Sequence, residues 1–193
     1  MEIILHRRNT ISLLKETAVK YGIEVDIRSN SNKLIISHDP YTNGCDFIEW
    51  LKFYKHRTLI INLKEEGLEN KILSYIKSFN IKSYFFLDQS FPFLIKTANE
   101  GNPNCAIRVS EYESIETALN LKNKIKWVWV DLFTKFPLSF NNYKELKKAN
   151  FKLCLVSPEL QKNNMKIEKL KFFLNQNCFY FDAVCTKFPE AWQ

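Results

Sequence analysis

Only three histidines occur in this 193-residue chain, and two of them close apolar runs near its start. Ile4-Leu5-His6-Arg7 ends the first run, and Ile36-Ser37-His38-Asp39-Pro40 ends the third. Between them, Glu24-Val25-Asp26 sits inside the second run. Two imidazoles, an arginine and two carboxylates are the parts that phosphate-ester chemistry requires. Imidazoles carry protons near neutral pH, a guanidinium fork grips anionic oxygens, and paired carboxylates seat a cation.

Side chains act together only if the backbone brings them to one place. Short apolar, β-branched or aromatic runs predict strands at 2–6, 23–28, 34–37, 58–63, 83–88, 105–109, 126–131, 152–157 and 181–185. Amphipathic spacing predicts helices at 11–21, 46–55, 68–79, 91–99, 113–122, 141–149 and 166–176. Alternating strands and helices of these lengths imply βαβ units with parallel pairing. With 34–37 hairpinned onto 23–28, eight strands and seven intervening helices remain. That is the count of an α/β fold of the compact (β/α)8 TIM-barrel type, lean at about 24 residues per unit against a usual total of ~250. A doubly wound open sheet is the alternative. The residues after the first strand are Arg8-Asn9-Thr10, so the glycine-rich dinucleotide turn of such sheets is missing.

In a barrel, residues two apart on a strand point to the same side, and sites form at the C-terminal strand ends. Glu24 and Asp26 then both face inward, with Val25 packed outward. Two enclosed carboxylates are costly unless neutralised. A hard divalent ion such as Mg²⁺ or Ca²⁺ is one partner; a salt bridge to Lys or Arg of a neighbouring strand is the other. His6 and His38 fall at strand ends and suit an acid–base pair, although either alone also reads as a hydrogen-bonded framework residue. In Leu59-Ile60-Ile61-Asn62-Leu63-Lys64, Asn62 and Lys64 share a side. Asn62 offers a carbonyl oxygen to a metal and Lys64 a phosphate ligand, unless Lys64 merely leaves the strand for solvent. Asp88, Asp131, Glu159 and Thr186 occupy comparable positions on later strands, each a weak signal alone. Trp127 and Trp129 read as core, and His56 as a solvated cation at a helix end. The chain contains no GxSxG, P-loop or HExxH motif.

Composition bounds the class. Hydrophobic residues make up 46% and charged residues 25%, ordinary for a soluble globular chain. The length fits one domain spanning 1–193. A formal charge of +7 favours anionic partners. The lysines are nevertheless scattered along helix-like segments, with no dense basic run interleaved with aromatics, so nucleic acid is not expected. Five cysteines form no CxxC pair; Cys105, Cys154 and Cys185 lie in apolar runs and read as core residues of a reducing compartment. The N-terminus lacks signal-peptide order and no apolar run approaches a membrane span, so a cytoplasmic location is expected.

The ordered set His6-Arg7, Glu24-x-Asp26, His38-Asp39 and Asn62-x-Lys64 resembles the glycerophosphodiester phosphodiesterases, within the wider phospholipase C-like phosphodiesterase barrels. The end of the chain, Phe181-Asp182-Ala183-Val184-Cys185-Thr186-Lys187-Phe188-Pro189, resembles that family's last strand. The resemblance covers the first sixty-odd residues and the last ten; the middle matches only in its βα rhythm. It implies divalent-cation-assisted cleavage of a small anionic phosphodiester. His6 and His38 become proton carriers, Arg7 and Lys64 the phosphate clamp, and Glu24, Asp26 and Asn62 the metal ligands. The chain also departs from the pattern. Asn62 replaces an acid, removing a formal charge from the cation seat. His-Arg-Arg-Asn-Thr is a trimmed first loop, the insertion after the His-Asp motif is missing, and Lys187 replaces a late acid. Loss of the insertion points to a more open site and a different or larger substrate, and Lys187 adds positive charge near its mouth. These departures also keep a rival reading alive: a catalytically silent barrel that binds an anionic headgroup or a protein partner.

Overall fold

A computed structural model describes residues 1–161, 163 and 165–193. Among the described residues there are ten strands and seven α-helices, alternating except where the second, third and fourth strands follow one another directly. The strands are β1 (Glu2–Leu5), β2 (Gly22–Asn30), β3 (Lys33–Ile36), β4 (Cys45–Asp46), β5 (Leu59–Leu63), β6 (Tyr84–Leu87), β7 (Ala106–Val109), β8 (Trp127–Val130), β9 (Lys152–Val156) and β10 (Ala183–Thr186). The helices are α1 (Ile11–Glu16), α2 (Phe47–Leu51), α3 (Glu69–Ser78), α4 (Phe91–Asn99), α5 (Ile115–Leu119), α6 (Phe140–Lys148) and α7 (Ile167–Gln176). No helix among the described residues is long and apolar enough to cross a membrane.

Eight of the strands form a curled parallel sheet. From β1 the pairing runs through β2 and β5 to β6 on one side, and through β10, β9 and β8 to β7 on the other. The two ends meet at one parallel bridge, Phe86 to Cys105, with the Phe86 amide donating to Asn104 O at 2.9 Å. A continuous ladder around a fully closed barrel was the expectation; at this seam the sheet falls short of it. The register explains why. Phe86 already pairs with Cys105, and β6 ends one residue later at Leu87, where Asp88 takes a left-handed φ of 58°. The rest of β7 therefore runs past the end of β6.

The strands are apolar on both faces because helices cover the outside while side chains fill the inside. Ile23, Val25, Ile60, Ile61, Phe85, Val128 and Val184 are all fully buried. Burying each such side chain is worth about 1.5–3 kcal/mol over leaving it exposed. Phe85 stacks on Trp127 with ring centroids 4.5 Å apart, and Trp129 is likewise buried, so both tryptophans are core residues as expected.

The predicted hairpin is present, with β3 antiparallel to β2. The two-residue β4 extends it; so short a strand carries no alternation to read. Three helices are shorter than their amphipathic stretches. Helix α1 stops at Glu16 rather than 21 because Thr17 is extended and its hydroxyl caps Leu13 O at 2.7 Å. Helix α2 ends at Leu51 and α5 at Leu119, short of the predicted 55 and 122. The early end of α2 changes the reading of His56. Rather than a solvated helix-end cation, it is half-buried, its Nε2 donating to Thr17 O at 2.9 Å, and burial lowers its pKa.

Candidate active site

At the C-terminal ends of the strands a cavity of about 320 Å³ is lined by His6, Arg7, Glu24, Asn62 and Lys64. Residues from later strands join them: Asp88, Arg108, Trp129, Asp131, Glu159 and Lys187. This is the face on which (β/α)8 proteins place their chemistry.

Its first wall is the turn after β1, which is fastened to β2. The Arg7 amide donates to Glu24 Oε2 at 2.7 Å and the Arg8 amide to Glu24 O at 2.9 Å. Asn9 grips Asp26 at both ends, Nδ2 donating to Oδ2 at 2.8 Å and Oδ1 accepting from the Asp26 amide at 3.2 Å. The trimmed loop is thus a bracket that presents His6 and Arg7 above the acid pair. It holds Arg7 at a left-handed φ of 52°, a conformation costly for a non-glycine residue.

Glu24 and Asp26 are both buried, as their spacing predicts, and Asp26 stands in register with Asn62 on β5. Their surroundings differ. Asp26 faces two cations, with Lys64 Nζ 3.2 Å from Oδ1 and Arg7 Nε 3.5 Å from Oδ2. This is the neighbouring-strand ion pair that the sequence left open as the alternative to a metal. Glu24 has no such partner: His6 Nε2 is 3.9 Å from Oε2, and Oε1 is buried without a hydrogen bond. Burial, then the Asp26 charge, pushes the Glu24 carboxyl up to about 8. His6 moves the opposite way, to about 3, through burial and then the Arg7 charge; the ring is neutral at pH 7.

Stability should record Glu24. Its folded pKa lies above the ordinary 4.5, so the folded chain binds the extra proton, and stability is full below 4.5 and lost as pH rises through 8. The lowered His6 acts in the opposite sense below its ordinary 6.5, leaving pH 6.5–8 as the clean window between the two. There the expected loss approaches 1.4 kcal/mol per pH unit. Glu24→Gln should flatten this slope in denaturant unfolding; equal slopes in both proteins would remove Glu24 as its source.

Not every expected residue lines the cavity. Asp26, covered by Arg7, Asn9 and Lys64, is not among its lining residues, and neither is His38. His38 is partly exposed on the segment after β3, with Nδ1 2.7 Å from Asp39 Oδ1, and its carbonyl accepts from the Arg28 guanidinium at 3.1 and 3.2 Å. Lys64 does not leave for solvent; it turns inward between Asp26 and Asp88, 3.8 Å from the latter. No group of three or more His, Cys, Asp or Glu side chains among the described residues is placed to hold a metal. The available oxygen set is instead two carboxylates and an amide, with Asn62 Oδ1 also buried and unpartnered.

Arg108 escaped the sequence reading. It binds Asp131 at 2.6 Å through Nη1 and Asp88 through Nη2, with Glu113 3.9 Å from Nε. Gln161 completes Asp131 at 2.8 Å. A charged residue inside the apolar run Ala106-Ile107-Arg108-Val109 was the available signal. Asn9 also passed unnoticed, since a short polar loop residue has no periodicity to betray it. Glu159 is a fastener, accepting from Thr186 Oγ1 at 2.7 Å and the Lys187 amide at 2.9 Å.

Fold and cavity define a mixed α/β protein with a curled eight-stranded parallel sheet and a polar, charge-paired site at the strand ends. No family model and no curated protein sequence matches the chain. Solved structures do match in shape. The glycerophosphodiester phosphodiesterase of Agrobacterium tumefaciens str. C58 superposes with a TM-score of 0.69 at 12% identity, over 100% of this chain and 98% of that one. A glycerophosphoryl diester phosphodiesterase from Parabacteroides distasonis gives 0.65 at 10% identity, over 98% and 85%. A tryptophan synthase α-subunit mutant from Pyrococcus furiosus gives 0.58 at 11% identity, over 96% and 86%. At such identities the likeness establishes the fold, and a fold shared by differently named enzymes does not assign chemistry.

Proposed function

We propose that the chain is a phosphoric diester hydrolase resembling the glycerophosphodiester phosphodiesterases, assisted by Mg²⁺ or Ca²⁺. The observation that carries this reading is the meeting of His6, Arg7, Glu24, Asn62 and Lys64 in one cavity at the strand ends, in the order of the family motif. Shape likeness to two phosphodiesterases adds support. The same reading takes the curled sheet as a complete (β/α)8 barrel joined at the Phe86–Cys105 bridge.

The donor chemistry fits a hard cation. Glu24 Oε1 and Asn62 Oδ1 are buried acceptors without partners, beside the Asp26 carboxylate. Glu24, Asp26 and Asn62 would hold the ion, water and substrate oxygens would fill its remaining positions, and it would supply positive charge to the phosphate. Arg7 and Lys64 clamp the phosphate oxygens. Neutral His6 takes the proton of the attacking hydroxyl, from water or from the substrate's own alcohol, as its oxygen bonds to phosphorus. A proton returns to the alcohol oxygen as the old P–O bond breaks; the family resemblance gives the donor's role to His38, which lies outside the cavity lining and would have to turn inward to fill it.

The direct test is ³¹P NMR of a small diester panel with Mg²⁺, Ca²⁺ or EDTA. Cation-dependent loss of a diester signal supports the reading; no loss of any signal, with no cation binding by calorimetry, overturns it. Asn62→Asp restores a formal charge at the seat and should tighten divalent-ion binding roughly tenfold, since ligand charge tunes oxygen sites over decades. Unchanged affinity would remove Asn62 from the ligand set. One observation favours the silent barrel instead: Asp26 is already neutralised by Lys64 and Arg7, so an anion could bind without any ion or turnover.

A further inference from the structure

Beside the candidate active site lies a second cavity of about 520 Å³, at the seam where β6 ends before β7. Leu87, Asp88 and Arg108 line both cavities, so the two form adjoining compartments with the Arg108–Asp88 pair as their shared wall. The second compartment is apolar at its base, with Leu94 of α4 and Ala106 and Ile107 of β7. Outward strand residues of such a sheet are normally covered by helices, yet Ile107 is only half-buried, beside an α5 of five residues. Two exposed aromatic side chains line the same space, Phe91 at the start of α4 and Tyr112 on the loop before α5, at 50% and 75% exposure. Its charged lining is Asp88, Glu113 and Arg108, two acids to one base, and the one guanidinium is already held by both acids. Among the described residues the compartment therefore offers no free cation to recruit an anionic group.

We propose that this compartment binds the alcohol side of the substrate, and that this alcohol carries a flat aromatic ring and no negative charge. The proposal rests on the phosphodiesterase reading, which puts the phosphate at Arg7 and Lys64 in the adjoining cavity. A volume of this size suits a drug-sized group rather than glycerol. Aromatic side chains at its edge offer ring faces for stacking, and the acidic excess of the lining disfavours an anionic body. Phe91, Tyr112 and Ile107 then determine specificity without touching the reacting atoms.

Calorimetry with three probes, 1-naphthyl phosphate, glycerol 3-phosphate and 1-naphthol, tests the proposal apart from turnover. Wild-type protein should bind 1-naphthyl phosphate about tenfold or more tightly than glycerol 3-phosphate, from burial and stacking of the ring. Thr117→Trp, at an exposed cavity position on α5, should abolish that preference and leave glycerol 3-phosphate unchanged; the double variant Phe91→Ala/Tyr112→Ala should reduce it. Equal affinity for the two phosphates, or a preference that survives Thr117→Trp, overturns the aromatic subsite while the phosphate site stands. Binding of 1-naphthol alone, with neither phosphate bound, overturns its assignment to a substrate and the phosphodiesterase reading with it. Binding of none overturns both.

Discussion

His6→Ala should lower diester turnover by a hundredfold or more, the scale of a lost general acid or base, while leaving the fold intact. The ring is half-buried beside Glu24, with Nδ1 unpartnered and Nε2 3.9 Å from the carboxylate. Its removal therefore breaks no strong hydrogen bond. The strand end is held by backbone contacts that survive the substitution, the His6 amide to Thr186 O at 3.0 Å and the Arg7 amide to Glu24 at 2.7 Å. With its pKa lowered to about 3 by burial and Arg7, His6 is in its proton-accepting form throughout the neutral range. Wild-type turnover should then show no acid limb near the ordinary imidazole value of 6.5 arising from this residue. Steady-state rates from pH 5 to 8 for both proteins check both statements. A variant within a factor of a few of wild type would remove His6 from the chemistry, and a limb near 6.5 lost only in His6→Ala would show that burial does not tune it.

Much of this arrangement was legible in the chain because it obeys a period. Glu24-x-Asp26 and Asn62-x-Lys64 are two-residue spacings on adjacent parallel strands, and the ladder sets Asp26 against Asn62. Alternation of strands with helices predicted the layering, and the Phe85–Trp127 stack shows why aromatics fell where they did. What was not legible depends on contacts distant in sequence. Whether Asp26 meets a metal or a lysine is decided by the inward turn of Lys64, one residue beyond β5. The seam opens because Asp88 turns the chain one residue after Phe86 pairs, a backbone event without compositional signature. Helix α1 stops at a threonine that caps its own last turn, although the apolar spacing continues to Tyr21. Arg108 was visible as a charge in an apolar strand, but its three acidic partners come from three different loops and strands.

Lys64→Met should destabilise the protein by about 3 kcal/mol, the low end of the cost of breaking a buried ion pair. Asp26 is fully buried and the Lys64 side chain is 17% exposed, so water cannot replace the lost ammonium. The low end applies because Arg7 at 3.5 Å and the Asn9 amide at 2.8 Å still serve the carboxylate. Removing the charge as well, in Lys64→Met/Asp26→Asn, should recover most of the stability, giving a coupling energy of 1 kcal/mol or more in a double-mutant cycle by denaturant unfolding. Additive effects would show that the pair carries no stability of its own. The double variant also separates two roles of one lysine. If Lys64 serves only to neutralise Asp26, restored stability should bring restored affinity for inorganic phosphate. If Lys64 is a phosphate ligand, the double variant should fold as wild type and still fail to bind, because the ammonium is gone whatever Asp26 carries.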